Sequence, residues 1–379
     1  MRKAITYLDL FSGIGGFALG LQKAGVKIKK HYFSEIDTYA TAVYKNHFPN
    51  AIGLGDVKAI KSFRKLGNID IITFGFPCQD LSIAGKGVGF NGSRSSLFYE
   101  ATRIIRATRP THFIFENVKG LLSNDNGRTF EKVLQEIADI GLYDCEWQLV
   151  NTRWFLPQNR ERIYFIGHLR GKSAPKVFPI TGNHRTPVGL QRHTANTITA
   201  GDRSSNGTYV VESQLVQKTK KCPQGKRINM TNGNSVCLSA NGGGFATRTG
   251  LYAVDVLPIL TPDRIKKRQN GRRFKISGEP SFTLTTQDRH GVLIIPRDSD
   301  QESDRHICIR KLTPIECERL QGFPDGWTSG YSDNQRYKML GNAVSVPVPE
   351  YIFNKLYKNE ENRITETNPG GQGDFLDCA

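Results

Sequence analysis

Along residues 4–167 the hydrophobic pattern switches between two textures. Short runs rich in β-branched and aromatic residues (Ile5–Leu8, His31–Phe33, Ile69–Phe74, His112–Phe115) are each followed by a longer stretch with helical spacing of its apolar positions (Phe17–Ala24, Thr38–His47, Leu97–Ala107, Thr129–Ile140). Strand and helix patterns in alternation predict βαβ units, and hence a mostly parallel sheet with helices on both faces. From His168 the helical periodicity fades, and Gly, Asn, Thr and Arg accumulate between short β-prone runs. Three such pairs resemble one another: Asn196–Ala200 with Gly207–Val211, Ser235–Ser239 with Gly250–Val254, and Ser281–Thr285 with Gly291–Ile294. Each predicts two short strands around a variable polar loop. Helical order returns at Thr313-Pro314-Ile315-Glu316, a capping box with Pro at the first helical position, predicting a helix to about Gln321. A last helix is predicted over Pro349–Tyr357, ahead of a polar, disordered tail. The organisation is therefore an α/β domain over 1–167, a smaller β-rich insert over 168–305, a return to the first domain over 306–357, and a tail over 358–379.

Composition sharpens this picture in three ways. At 379 residues the chain exceeds what one hydrophobic core usually supports, consistent with a large domain and a smaller one. Between His168 and Arg305, 22 Lys and Arg face 10 Asp and Glu, a net of +12 out of the chain's +17. Charge so concentrated predicts a polyanionic partner held by the insert; a solvated basic surface is the alternative. Seven cysteines with no C-x-x-C pair argue against a disulfide framework or a zinc site, so a reducing, cytoplasmic setting and no metal are expected. No apolar run is long enough to span a membrane, and the first residues lack a secretory pattern.

Chemistry concentrates at the predicted carboxyl ends of the strands, where open α/β sheets bind ligands. The first strand runs into Asp9-Leu10-Phe11-Ser12-Gly13-Ile14-Gly15-Gly16 and then a helix. Glycines there let backbone approach a nucleotide-type ligand, and Phe11 suits stacking on a flat ring; a tight turn made only for packing is the alternative. Glu35, at the end of the second strand, stands where an acid holds ribose hydroxyls, and Asp56 at the next strand end is placed to read a base edge. The third strand leads into Gly75-Phe76-Pro77-Cys78, offering a thiol nucleophile or a small buried hydrophobe. The fourth ends in Glu116-Asn117-Val118, a carboxylate at the same rim, or else a surface charge. In Gln158-Asn159-Arg160-Glu161-Arg162, a strand would send Arg160 and Arg162 to one face, as a double anion fork or as the charged blunting of an edge strand.

Taken in order, DLFSGIGG, GFPCQDLSIAGKG, ENVKGLL, QNRERIYFIG, RKLTPIECERLQGFPDGW and GNAVSVPV resemble the C5-cytosine DNA methyltransferases of bacteria and phages. The resemblance covers nearly the whole chain outside the insert and the tail. It implies a Rossmann-like, S-adenosylmethionine-dependent methyltransferase domain carrying an inserted target-recognition domain. The implied activity is sequence-specific methylation of carbon 5 of cytosine in double-stranded DNA, with base flipping, a covalent Cys78 adduct and S-adenosylhomocysteine as product. By the same resemblance Glu116 holds the flipped ring, and Arg162 contacts its carbonyl with Arg160 nearby. Phe11, Gly13, Ile14, Gly16, Glu35, Ile36, Asp56, Val57, Pro77, Leu97 and Asn342 surround the cofactor. Ser82, Lys86 and Arg94 belong to a loop that closes over DNA, and the helix Thr313–Gln321 organises the recognition domain. A monomer is expected, with a companion restriction endonuclease as a functional partner. Three rivals are weaker. An RNA methyltransferase of the same fold fits a long basic insert less well, a silent DNA-binding module has no need of all four of Cys78, Glu116, Arg160 and Arg162, and a nicotinamide oxidoreductase fits G-x-G-G badly.

Overall fold

The computed structural model describes residues 4–76, 96–172, 174–182, 228–229, 251–252, 254–262, 272–276, 279–286, 289–296 and 308–366. They fall into two compact units, one of residues 1–156, 160–182 and 314–379 and the other of residues 157–159 and 183–313.

The first unit is built on a seven-stranded sheet in the order β3-β2-β1-β4-β5-β7-β6. These strands are β1 (Ile5–Leu10), β2 (Ile28–Ser34), β3 (Ile52–Gly53), β4 (Ile71–Phe74), β5 (His112–Val118), β6 (Tyr143–Asn151) and β7 (Glu161–Leu169). β1 to β5 are mutually parallel, whereas β7 runs antiparallel to both β5 and β6. Every residue of β1 and β4 is buried, as expected of central parallel strands covered on both faces. The core behind them is aromatic: Phe115 stacks between Phe74 and Phe165, with ring centroids 4.8 and 4.3 Å away.

Helices α1 (Gly16–Lys23), α2 (Thr38–His47), α3 (Ser96–Thr108) and α4 (Arg128–Ile140) follow their strands closely along the predicted stretches. Asp37 explains the sharp start of α2, since its Oδ1 accepts the backbone N–H groups of Tyr39 and Ala40. The α/β reading of the first half holds, and the strand β7, antiparallel to both its neighbours, is the one departure from a wholly parallel sheet.

Three boundaries move, the first being the return itself: residues 306–313, assigned to it, fall in the second unit, and the first resumes at Pro314. Residues 168–182, assigned from composition to the insert, belong to the first unit because their polar groups are satisfied there. His168 Nε2 meets Glu146 Oε1 at 2.9 Å, the same carboxylate accepts from Val177 and Phe178 N–H, and Gln148 accepts from Ile180 N–H. The chain returns through α5 (Pro314–Gln321), α6 (Asp333–Asn342) and α7 (Pro347–Glu366). α7 thus runs nine residues past the predicted end at Tyr357, into the segment expected to be disordered. Lys358, Glu360, Glu361 and Arg363 are good helix formers that extend a helix already nucleated. Residues 367–379 lie outside the described residues.

In the second unit, β10 (Val254–Leu260), β11 (His290–Pro296) and β12 (Cys308–Lys311) form an antiparallel sheet, and β8 (Ile228–Asn229) pairs in parallel with β9 (Leu251–Tyr252). Of the two short strands expected at Ser281–Thr285 and Gly291–Ile294, the second lies within β11 and the first forms no strand. β11 pairs with β10 and β12, while Ser281 exchanges backbone hydrogen bonds with Pro157 and Asn159. The pairs predicted at 196–211 and at 235–239 lie outside the described residues.

Candidate active site

The strand order reverses direction between β1 and β4, and the described residues of the first unit line a cavity of about 560 Å³ beyond the carboxyl ends of these strands. Its size is typical of a cofactor pocket.

On the β1 side the wall is the glycine turn. Phe11, Gly13 and Gly15 have positive φ (51°, 53° and 87°), so the chain reverses twice before α1 begins. Gly13 has no neighbour within 4 Å of a Cβ position and faces open space, while Gly16 does not line the cavity. A Cβ on Gly16 would lie 2.5 Å from Val344 Cγ1 and 2.9 Å from Val344 O, so this glycine serves close packing of α1 on the returning chain.

Glu35 pins the turn from the end of β2. Its Oε2 accepts Gly13 N–H at 2.8 Å, and its Oε1 accepts Ile36 and Asp37 N–H at 2.8 and 2.9 Å. A carboxylate offers about four lone-pair positions, so three are filled and one, on Oε2, remains for a ligand hydroxyl. Ile36, 75% exposed, and half-buried Phe11 supply apolar lining beside it. Asp56 caps the short 3-10 turn Val57–Ala59, its Oδ1 accepting Lys58 N–H at 2.9 Å, and Val57, Leu97 and Asn342 complete this part of the wall.

The β5 side is charged. Glu116 Oε1 lies 2.8 Å from Arg162 Nε, both side chains being mostly buried. Arg160 and Arg162 reach the same cavity, as their two-residue spacing predicts. β7 is an interior strand, so the edge-strand alternative for these arginines fails.

Arg160 is only 2% exposed and donates to the carbonyls of Ala343 (2.9 Å) and Gly341 (3.4 Å), fastening the end of α6 to the sheet. Burial, and then the neighbouring Arg162, push its pKa down to about 9. Glu35 and Glu116 stand three strand positions apart, about 14 Å at ordinary strand spacing. That is room for two ligands end to end, one held at a hydroxyl by Glu35 and a polar ring held by Glu116 and Arg162.

Behind the turn lies a buried polar chain. Thr73 and Tyr44 hydroxyls donate to Asp9 at 2.7 and 3.1 Å, and His31 Nε2 meets Tyr44 OH at 2.7 Å. Burial raises the Asp9 pKa to about 7 and lowers that of His31 to about 4.

Several cavity residues escape the sequence reading. Lys338 pairs with Asp37 at 2.8 Å, 301 residues away, which no local signal announces. Asn117, within the quoted Glu-Asn-Val run, donates to Phe76 O at 3.2 Å and so joins the ends of β4 and β5. Pro77, Cys78, Ser82, Lys86 and Arg94 lie outside the described residues.

Comparison with known proteins finds one family across nearly the whole chain. The family model for C-5 cytosine-specific DNA methylase matches residues 5–358. The chain is 30% identical over 444 residues to the orphan methyltransferase M.SPRI of Bacillus phage SPR, covering 95% of this chain and 99% of the relative. It is 34% identical over 361 residues to the type II methyltransferase M1.ScrFI of Lactococcus lactis subsp. cremoris, covering 94% and 79%. Among solved structures, a putative DNA modification methyltransferase encoded within an E. coli prophage superposes with a TM-score of 0.54 at 21% identity, over 94% of this chain and 100% of that one, a likeness of fold.

Proposed function

Because the chain belongs to the C-5 cytosine-specific DNA methylase family, and so is an enzyme that methylates cytosine in DNA, we propose that it uses S-adenosylmethionine to methylate carbon 5 of a cytosine flipped out of double-stranded DNA, at a recognised sequence, through a covalent Cys78 adduct. The observation that carries this reading is that Glu35 and the Glu116–Arg162 pair, from strands three positions apart, line one and the same cavity.

The residues present fit the cofactor. Glu35 keeps one acceptor position for a ribose hydroxyl, Gly13 leaves space where a side chain would stand, and Phe11, Ile36, Val57 and Leu97 offer apolar surface to an adenine ring. Ile14, Phe76 and Asn342 line the cavity, and Pro77 is the residue after Phe76 in the sequence. When bound, S-adenosylmethionine supplies an electrophilic methyl group on a sulfonium sulfur.

The protein's own part is to make carbon 5 of cytosine nucleophilic. A base inside a duplex is out of reach, so it leaves the stack at a cost of a few kcal/mol. The Cys78 thiolate adds to carbon 6, and the electron pair of the 5,6 double bond becomes available at carbon 5. Glu116 hydrogen-bonds ring nitrogen 3 and the exocyclic amine, while Arg162 holds the ring carbonyl as negative charge develops. Arg160 acts beside them by holding Gly341 and Ala343 against the cavity. Once carbon 5 carries the methyl group, loss of its proton and elimination of the thiolate restore the ring and free Cys78.

The inserted segment 183–313, with 21 Lys and Arg against 10 Asp and Glu, carries a net +11 that supports contact with duplex phosphates, and Ser82, Lys86 and Arg94 are assigned to DNA by the family resemblance. We take the working unit as a cytoplasmic monomer, with a companion restriction endonuclease as its functional counterpart. No described helix is long and apolar enough to cross a membrane.

The test is trapping. Duplex DNA containing 5-fluorocytosine, incubated with the protein and S-adenosylmethionine, should give a denaturation-resistant complex, because fluorine cannot leave as the proton does. A Cys78→Ser variant should give none. Turnover by that variant, or trapping only on tRNA, would overturn the proposal.

A further inference from the structure

Within the first unit, the returning helix α5 carries a buried acid, Glu318. Glu318 is wholly buried and both its carboxylate oxygens are hydrogen-bonded: Oε2 accepts Gly326 N–H at 2.7 Å, and Oε1 accepts Thr328 N–H at 2.8 Å and Thr328 Oγ1–H at 2.5 Å. Arg336 of α6 closes the group, with Nη2 3.1 Å from Glu318 Oε1 and Nε donating to Thr328 Oγ1 at 3.0 Å. An acid sealed from water with this many donors is expensive to assemble and rigid once assembled. What it fixes is the loop between α5 and α6, and that loop presents Trp327.

Trp327 is 7% exposed and lies flat against His47 at the end of α2, with ring centroids 3.5 Å apart and planes 5° from parallel. His47 Nε2 also contacts Trp327 O at 2.8 Å, so ring and backbone are held together. The indole N–H is thereby aimed outward from the loop, and it donates to Ile14 O at 2.9 Å. Ile14 stands in the glycine turn, immediately before the αL residue Gly15, and is one of the residues lining the cavity. Gly13, the next residue back, is the one Glu35 holds by its N–H. The turn is therefore gripped from two sides, by a carboxylate at Gly13 and by an indole at Ile14.

We propose that Trp327, set in place by Glu318, is a positioning residue for the cofactor turn, holding the Ile14 peptide in the orientation that binds S-adenosylmethionine. This rests on the cofactor reading of the cavity. It gives the returning segment a second task beside the Asn342 contact: a polar clamp that preorganises the donor site from 313 residues away.

The experiment is a calorimetric titration of S-adenosylhomocysteine into the full-length protein and its Trp327→Phe variant, with steady-state kinetics in both substrates and melting curves alongside. Phenylalanine keeps a ring on His47 and removes only the N–H. The expected result is a five- to ten-fold weaker Kd and a matching rise in KM for S-adenosylmethionine, with kcat at saturating cofactor and KM for DNA within two-fold of the parent. An unchanged Kd, or equal losses in kcat and both KM values, would overturn the positioning role. Failure of the parent itself to bind would overturn the cofactor reading and this inference with it.

A second measurement does not depend on the variant folding. In the parent protein, the Trp327 indole N–H, identified among the three tryptophans through Trp147→Phe and Trp154→Phe, should exchange with solvent at least ten-fold more slowly once S-adenosylhomocysteine is added. No change on binding would refute the coupling.

Discussion

Replacing Glu35 by Gln separates the two jobs assigned to this carboxylate. Glutamine matches its shape but offers one acceptor oxygen and an amide. If that oxygen stays on Ile36 and Asp37 N–H, the new NH₂ group points at Gly13 N–H, donor against donor, and also faces the place proposed for a ribose hydroxyl. If the amide flips, the Gly13 bond survives and two others are lost. Either way at least one hydrogen bond to a charged acceptor disappears, worth roughly 1.5–3 kcal/mol. Expressed wholly in binding, that is a loss of about 10- to 150-fold. Calorimetry with S-adenosylhomocysteine measures it, and a melting curve reports the share that falls on folding. Asp56→Asn is the matched control: Asn can still accept Lys58 N–H, so its loss should stay within a few-fold. A Glu35→Gln protein that remains cooperatively folded and binds within two-fold of the parent would refute the argument, leaving Glu35 as a loop brace without a ligand role.

Three other outcomes follow from the same geometry. Gly16→Ala should lower stability by about 1–3 kcal/mol, because the new methyl overlaps Val344; Val344→Ala should recover only part in a melting experiment, since the clash with Val344 O persists. Glu116→Gln should cut kcat by at least ten-fold with little change in S-adenosylhomocysteine affinity, because Glu116 lies three strands from Glu35; an equal loss in cofactor binding would contradict the division of the cavity. His112 is held neutral by burial and by its neighbours His168 and Lys172, which lower its pKa to about 3. The unfolded chain then binds the extra proton first, so stability is lost as pH falls below about 6.5, on the order of 3 kcal/mol by pH 4. His112→Leu should flatten that part of a pH–melting profile, and an unchanged slope would count against it.

What could be read from the sequence depended on the range of the interaction that decides each feature. β1 and β4 are largely apolar, interrupted only by Thr6, Asp9 and Thr73, because both faces of a central parallel strand are covered, and such runs stand out with no knowledge of the partner strand. Glu35, Asp56 and Glu116 were legible for a related reason: ligands collect at strand ends, so an acid at the end of a strand pattern marks its own place. Arg160 and Arg162 were legible as a pair but not as to face, since the interior position of β7 depends on β6, whose burial is mixed rather than alternating. The extension of α7 was hidden because polar residues after Tyr357 look the same in a solvated helix as in a loose tail.

Contacts between distant segments leave no local trace. Lys338 reads as one more surface lysine, and Trp327 as a core aromatic, until the fold brings Asp37 and Ile14 beside them. The division has a physical basis. Groups that touch a ligand sit at positions fixed by topology, which a pattern reveals. Groups that hold those in place are recruited from wherever packing delivers a donor, and any segment with the right reach will serve. In this chain the recruited groups come from 318–343, so the segment that closes the sheet's chemistry is also the one that stiffens it. A substitution there, with no ligand contact of its own, should therefore change cofactor affinity more than most substitutions in the cavity's apolar lining.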